Sequence, residues 1–372
     1  MNLLWITWKD HLHPETGGAE VVHREITKRL AADGHNVTIL TARYPGGMAR
    51  ETEGNITFVR VGSNRYIHPL AAGWHYLRHL RNRFDVVIEE VQGCAPYFAA
   101  FFGRSSRRFL FYHQLARKNW LYEVKAPFSY LGYHVLAPIA TRLIALSRAP
   151  VITVSDSTRQ VLEPYGFDRK RTHIISEGLH FAPLESLANI QKYPQPTMLS
   201  FGAMRAMKRT LEQVQAFEIA KESLPDLQLK IAGSASGSYG QKVLDYIAGS
   251  PYKADIEYLG RVSTEQKAKL MQRSHTIVVT SVEEGWGLIV SEANGQGTPA
   301  VVYDVEGLRD SVKHNRTGLI TEPTPAALAQ SVVQLLQDPA HYAELQKNAH
   351  LFSKNLTFDQ SYKDFLQIVK AV

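Results

Sequence analysis

The sequence predicts an α/β protein built as two doubly wound domains. Its 372 residues exceed the size at which one hydrophobic core usually stops growing. Short runs rich in β-branched and aromatic residues alternate with longer helical patterns, as parallel sheets with crossover helices require. The alternation lapses once, between Glu177 and Pro196, and then restarts.

In the first half, strands are expected near Leu3 to Thr7, Asn36 to Ala42, Ile56 to Val61, Asp85 to Val91, Arg107 to His113 and Pro150 to Ser155. Helices are expected near Ala19 to Asp33, Leu70 to Arg83 and Pro138 to Ser147, with Gly34 at a helix C-cap. The pattern then fades into Gly178, Pro183 and Pro194, and a fresh strand, Thr197 to Gly202, reopens it. Further strands follow near Leu227 to Ala232, Asp255 to Leu259, Thr276 to Ser281 and Ala300 to Tyr303, before a helical tail. The expected division is residues 1–178, a linker at 179–196, a second domain at 197–354 and a C-terminal helix at 355–372. Two Rossmann-like domains facing across a cleft result, with ligands at the carboxyl ends of their strands.

Composition narrows the classes. With 44% hydrophobic and 21% charged residues the chain is ordinary globular material, without low-complexity tracts or a repeat period. Cys94 is the only cysteine, which excludes an internal disulfide and a cysteine-cluster zinc site and fits a reducing compartment. The opening strand runs directly into Trp8-Lys9-Asp10-His11, too short for a signal peptide, and no uncharged apolar run reaches bilayer length. Cytoplasmic residence is the expectation, with peripheral contact at the inner face of the membrane kept open. The net charge of +7 and pI near 9.3 favour polyanionic partners. Without zinc-finger or RNA-binding signatures, nucleic acid is not expected among them.

The most informative stretch is Thr280 to Ala293, which follows an apolar strand and opens a helix. Gly285 and Gly287 permit close approach by a ligand, and the helix N-terminus offers unpaired N–H donors to a diphosphate. Glu284 lies on the loop and Glu292 more than a turn into the helix, so they address different parts of one ligand, sugar and ribose hydroxyls respectively. Taken alone, two such glutamates would read as solvated helix-end charges; the strand, paired glycines and helix around them favour a ligand loop.

Arg205, Lys208 and Arg209 follow the strand that opens the second domain, where phosphate would lie, and Arg205 and Lys208 can neutralise a departing diphosphate. A solvated basic loop is the plainer alternative. Gly17-Gly18 comes between the first strand and the first helix and can carry the backbone past a phosphate or sugar, although a tight turn would use the same pair. Asp10, His11 and His13 lack a further ligand run, and no metal site is expected. His113 ends a strand at the carboxyl edge, where an imidazole serves either a ligand or the fold. The helix Leu70 to Arg83 has an apolar and a basic face; resting on anionic lipid and facing the core both fit, and the second is simpler. The aromatic stretch from Trp120 through Tyr133 can line an acceptor groove or pack. There is no Walker loop, no Asp-x-Asp pair and no His-Glu-x-x-His, and Gly295 to Ala300 fails as a dinucleotide fingerprint because it precedes a strand.

Together, Gly17-Gly18-Ala19-Glu20, His113, Arg205 with Lys208, and Glu284-Gly285-Trp286-Gly287-Leu288 with Glu292 resemble glycosyltransferase family four, retaining enzymes of GT-B architecture. The resemblance spans nearly the whole chain. It implies transfer of a sugar from a nucleotide diphosphate donor to an acceptor hydroxyl, with no metal or other cofactor. It also implies Glu284 beside the donor sugar, Glu292 on the ribose, Arg205 and Lys208 on the diphosphate, Gly17-Gly18 closing over it and His113 near the transferred sugar. The C-terminal helix from about Phe358 is implied to pack on the first domain. The chain departs from the family pattern at Ala203, where many members carry arginine, and at Trp286, where phenylalanine is commoner. The run Tyr112 to Arg117 looks like that of a subgroup whose acceptor is not inferred. The rival readings are a sugar-nucleotide epimerase on the same fold and a non-catalytic binding module for sugar nucleotides or lipid surfaces.

Overall fold

A computed structural model of the chain describes every residue except Glu15, Arg65, Tyr66, 93–95, 103–106, Ala116, Asn189 and Val372. The sole cysteine, Cys94, therefore lies outside the described residues, as does Ala116 of the Tyr112 to Arg117 run. The chain forms two compact units, Met1–Gly178 with Thr357–Val372, and Leu179–Leu356.

Unit 1 is an eight-stranded sheet in the order β3-β4-β2-β1-β5-β6-β7-β8. Its strands are β1 (Asn2–Ile6), β2 (Asn36–Thr41), β3 (Arg50–Glu53), β4 (Ile56–Arg60), β5 (Val86–Glu90), β6 (Arg107–Tyr112), β7 (Val151–Thr153) and β8 (Thr172–Ile174). All pair in parallel except β3 with β4. Helix α1 (Gly18–Ala32) joins β1 to β2. Helix α2 (Ile67–His75), prolonged by a π-helical turn (Tyr76–Leu80), joins β4 to β5. Short α3 (Asn119–Glu123), α4 (Phe128–Leu131) and α5 (Ala137–Ala145) join β6 to β7, and α6 (Asp156–Leu162) joins β7 to β8. Central strands β1 and β5 are buried almost throughout because both sheet faces are covered, which is why they read as continuous apolar runs.

Unit 2 is a six-stranded parallel sheet in the order β11-β10-β9-β12-β13-β14. Its strands are β9 (Thr197–Phe201), β10 (Gln228–Ala232), β11 (Ile256–Gly260), β12 (Thr276–Val279), β13 (Ala300–Tyr303) and β14 (Gly318–Thr321). The helices of this unit are α7 (Thr210–Lys221), α8 (Gly237–Gly249), α9 (Thr264–Arg273), α10 (Leu288–Gly295), α11 (Leu308–Ser311), α12 (Pro325–Gln337) and α13 (Pro339–Ser353). Residues 179–196 are attached to this unit. Leu184 N donates to Gly295 O at 2.9 Å, and Lys192 Nζ donates to Ser274 O, Gly297 O and Thr298 Oγ1 at 2.7, 2.8 and 2.8 Å.

The closing helix α14 (Phe358–Ala371) packs on α1 within unit 1. Arg29 Nε bonds Asp359 Oδ1 at 2.8 Å, Tyr362 OH bonds Asp33 Oδ2 at 2.6 Å, and Phe365 stacks on Trp5 with centroids 5.7 Å apart. A Cβ on Gly178 would stand 2.3 Å from the Phe358 nitrogen, so only glycine lets the two segments meet.

Two features depart from the sequence reading. Strands β3, β8 and β14 were not expected; all three sit at sheet edges and have three or four residues, too few for an alternating pattern to register. The helix expected at Leu70 to Arg83 runs earlier, and two of its large apolar side chains do not face the core. Ala72 and Tyr76 are buried, whereas Leu70 and Trp74 are 72% and 65% exposed.

Candidate functional site

In each unit the strand order reverses once, between β1 and β5 in unit 1 and between β9 and β12 in unit 2. At such a point the loops leaving adjacent strands diverge to opposite sides, opening a crevice at the carboxyl edge. The sequence-predicted residues fall at these two points, except His113, which follows β6, the strand beside β5.

In unit 2, β9 ends at Phe201 and the chain turns at Gly202, where φ is 138°. The neighbouring strand's Gly233 passes so close that a Cβ there would meet Gly202 O at 1.9 Å. The loop after β9 is tied to the loop after β12. Thr280 Oγ1 donates to Lys208 O at 2.8 Å and accepts from Gln213 Nε2 at 2.8 Å, while Val282 N donates to Met207 O at 2.8 Å. These bonds bring Lys208 Nζ onto Glu284 Oε1 as an ion pair, and Ser281 Oγ donates to the same oxygen at 2.7 Å. Arg205 is exposed, and Arg209 turns toward Glu212 and the Tyr303 ring.

Helix α10 begins just after Gly287, which has φ 90° and no side chain to cap the first turn; Val290 N donates to Gly287 O at 2.8 Å. Ile289 of that turn lines one pocket together with Ser200, Gly202, Lys208 and Glu284. Trp286 folds onto the helix, its Nε1 donating to Ser291 Oγ at 2.9 Å. One turn on, the Glu292 carboxylate is buried between His180 Nδ1 at 2.9 Å and Lys267 Nζ at 2.6 Å. The Lys267 ammonium also lies over the Phe181 and Phe201 rings, 5.6 and 5.2 Å from their centroids. His180 and Lys267 were not singled out from sequence. They stand 112 and 25 residues from Glu292, in a segment read as linker and on an ordinary charged helix, so no local pattern marks them.

In unit 1, Gly17-Gly18 forms the entry to α1 at the carboxyl edge of β1, and Glu20 Oε2 accepts from Gly17 N at 2.6 Å. Asp10 is committed elsewhere, in a fully buried 2.7 Å ion pair with Arg60 Nε. His11 packs on Phe58, and among the described residues no group of three or more His, Cys, Asp or Glu is placed to hold a metal ion.

His113, just past β6, faces two carboxylates that sequence reasoning did not assign. Its Nε2 lies 3.5 Å from Glu90 Oε1 and its Nδ1 lies 3.8 Å from Glu177 Oε1. Glu90 ends β5 beside the crevice and also accepts from Trp5 Nε1 at 2.8 Å, with His23 Nδ1 3.3 Å away. Burial, the largest influence on His113, opposes its charge, but Glu177 and Glu90 outweigh it together and raise the imidazole to about 9. Burial likewise opposes charge on Glu90, and the two histidines hold it well below the usual carboxylate range. A raised pKa favours the imidazolium at neutral pH, with one carboxylate facing each ring nitrogen. A buried acidic strand end was the only sequence signal for Glu90, and two adjacent glutamates after an apolar run read as readily as a solvated turn.

Comparison with known proteins agrees in both halves. The model of Glycosyltransferase Family 4 matches residues 16–181, and that of Glycosyl transferases group 1 matches residues 187–352. The D-inositol 3-phosphate glycosyltransferase of Pseudarthrobacter chlorophenolicus is 26% identical over 235 residues, covering 60% of this chain and 54% of that protein. The chain thus spans about half the length of the curated relatives it matches. Sucrose-phosphate synthase from Thermosynechococcus elongatus superposes with a TM-score of 0.79 at 18% identity, over 100% of this chain and 98% of that one. The Anabaena protein HepE in complex with UDP-glucose gives 0.74 at 15% identity, over 100% of each chain. At these identities the likeness establishes the GT-B fold.

Proposed function

Because the chain belongs to the glycosyltransferases that these two family models describe, we propose that it moves a sugar from a nucleotide diphosphate sugar to an acceptor hydroxyl, retaining the anomeric configuration and needing no metal ion. The donor C1–O bond breaks with its electron pair leaving on the diphosphate, and the acceptor oxygen bonds to C1 as its proton passes to the departing diphosphate. The transition state is oxocarbenium-like, so the electrostatic task is to stabilise the departing diphosphate.

The observation that carries this reading is the ion pair of Lys208 and Glu284 beside the uncapped start of α10. An ammonium and a helix N-terminus favour the same anion and can take up its charge without a metal. Arg205 supplements Lys208 from the exposed side, Glu284 binds sugar hydroxyls, and Glu292, held by Lys267 and His180, takes the ribose. Gly285, Trp286, Gly287 and Leu288 shape the sugar end of the pocket. In unit 1, Gly17-Gly18 covers the donor, and the His113 imidazolium donates a hydrogen bond to the transferred sugar. UDP-glucose is bound by the fold neighbour HepE, which makes nucleoside diphosphate sugars the first donors to try here.

Uridine, guanosine and adenosine diphosphate sugars are to be screened for thermal stabilisation of the purified chain, then for nucleotide release with and without acceptors. Stabilisation by one donor series, with release that needs an acceptor, is the expected result. Release without acceptor together with sugar isomerisation would point to epimerisation, and no stabilisation by any series would end the proposal.

A further inference from the structure

Residues 54–155 hold thirteen Lys and Arg against four Asp and Glu, a larger excess than the +7 of the whole chain. No acidic residue occurs in 54–84 or in 124–155. These same segments carry an unusual amount of exposed apolar surface. On α2 and its π-helical extension, Ile67, Leu70, Trp74 and Leu77 are 51%, 72%, 65% and 36% exposed, spaced three and four residues apart on one side. From Phe128 to Ala145, α4, a π-helical turn and α5 run without a break. Phe128, Leu131, Val135, Ile139 and Leu143 face outward along that path, each at least 41% exposed. The opposite side is already satisfied, with Gly132, Ala137, Thr141 and Ile144 buried against the unit. Among its described residues unit 2 exposes only Ile219, Tyr246, Tyr258 and Leu351 as large apolar side chains.

Both helical segments lie on one face of the sheet. Leu4 pairs with Val87, Val87 with Arg108, and Leu110, two residues on from Arg108, with Val151, so these side chains share a face across parallel strands. Ala72 and Tyr76 of the first segment pack with Leu4 and Val87, and Ile144 of the second packs with Leu110 and Val151. Exposed cations accompany each stripe: Arg78 on the first helical segment with Arg81 and Arg83 just after it, and Lys125, Arg142 and Arg148 toward the ends of the other path. The Arg78 guanidinium lies 6.0 Å from the Trp74 ring centroid.

We propose that this face of unit 1 docks on an anionic lipid bilayer. Outward apolar side chains enter the acyl boundary, Trp74 sits at headgroup depth, and the arginines and lysines meet lipid phosphates. No helix of the described residues is long and apolar enough to cross a membrane, so the helices lie in the surface plane. A second copy of the chain is a poorer occupant. A two-fold contact would press the same acid-free, cationic face against itself. The inference goes beyond the transfer reading and does not depend on it, since binding is measured without donor or acceptor.

The test is co-sedimentation of the full chain with vesicles of phosphatidylcholine alone and of phosphatidylcholine mixed with phosphatidylglycerol. Binding to the mixed vesicles, weakened by salt, is expected. The exposed-site pairs Leu70→Ser with Trp74→Ser, Ile139→Ser with Leu143→Ser, and Arg78→Gln with Arg142→Gln should each lower partitioning by about tenfold or more. Their thermal unfolding should be unchanged, and Ile219→Ser with Leu351→Ser should bind as the parent does. The proposal fails if the parent stays in the supernatant, if it binds both vesicles equally, or if the apolar pairs bind normally. It fails equally if the parent is a dimer that Leu70→Ser with Trp74→Ser splits without loss of vesicle binding.

Discussion

His113 Nε2 lies 3.5 Å from Glu90 Oε1, and the carboxylate is completely buried. The pair joins the ends of the adjacent strands β5 and β6, next to the point where the sheet order reverses, so it couples the stability of unit 1 to the charge state of the proposed site.

Replacing Glu90 by Gln removes one of the two anions that hold His113 charged. Its pKa should fall from about 9 toward or below 6.5, because burial, which lowers it, remains. NMR titration of the ring reads this directly. The raised His113 contributes stability that is complete below about 6.5 and lost as pH rises through about 9. Glu90, held low, contributes above the ordinary carboxylate range and loses it as pH falls. Denaturant unfolding of the parent should therefore weaken at both ends, and Glu90→Gln should cost about 3 kcal/mol between them. A flat difference across pH would contradict the coupling.

Lys208→Ala should lower turnover by about a hundredfold, the scale of removing one preorganised charge-stabilising group. Stability should change little, since the ammonium is only partly buried. Steady-state kinetics with the identified donor, beside a thermal melt, separates the two effects.

Glu292→Ala should weaken nucleotide affinity by about tenfold to a hundredfold, the range for a hydrogen bond to a charged group. Lys267→Ala should weaken it less, because that residue holds the carboxylate and is not assigned to the ribose. Calorimetry with the nucleoside diphosphate would decide, and equal affinities in Glu292→Ala and parent would remove the ribose assignment.

Gly307→Ala should destabilise unit 2 by about 2 kcal/mol or more and lower donor affinity as well. The residue has φ 78°, and a Cβ there would stand 2.3 Å from Glu284 O. The neighbouring Glu306 O accepts from Glu284 N at 3.2 Å, so the strain falls on the loop that carries Glu284. A variant with unchanged melting and unchanged binding would show that the loop is freer than its contacts indicate.

Phe365→Ala should cost about 3–5 kcal/mol, as truncation of a fully buried aromatic does. The loss would fall on unit 1, where Phe365 stacks on Trp5. Urea unfolding followed by tryptophan fluorescence would report it.

Local pattern carried much of the design. The apolar runs that became β1, β5, β9 and β12, and the paired glycines before α10, announce parallel strands and a strand-to-helix loop because each is contiguous and its period is short. The same holds for Glu284, Lys208 and Gly17-Gly18, which sit at strand ends wherever those strands are placed. The edge strands β3, β8 and β14 were silent because a few residues paired on one side need no marked alternation.

What the amino-acid sequence determined by itself was the alternation of elements and the loops on which charged side chains ride, since those follow from spacing alone. Tertiary structure decided which charges meet. Glu90 and Glu177 around His113, and His180 and Lys267 around Glu292, come from segments far apart in the chain. It also decided that Leu70 and Trp74 look outward, because the sheet needs only one side of α2 and the small Ala72 with the ring of Tyr76 already fills it.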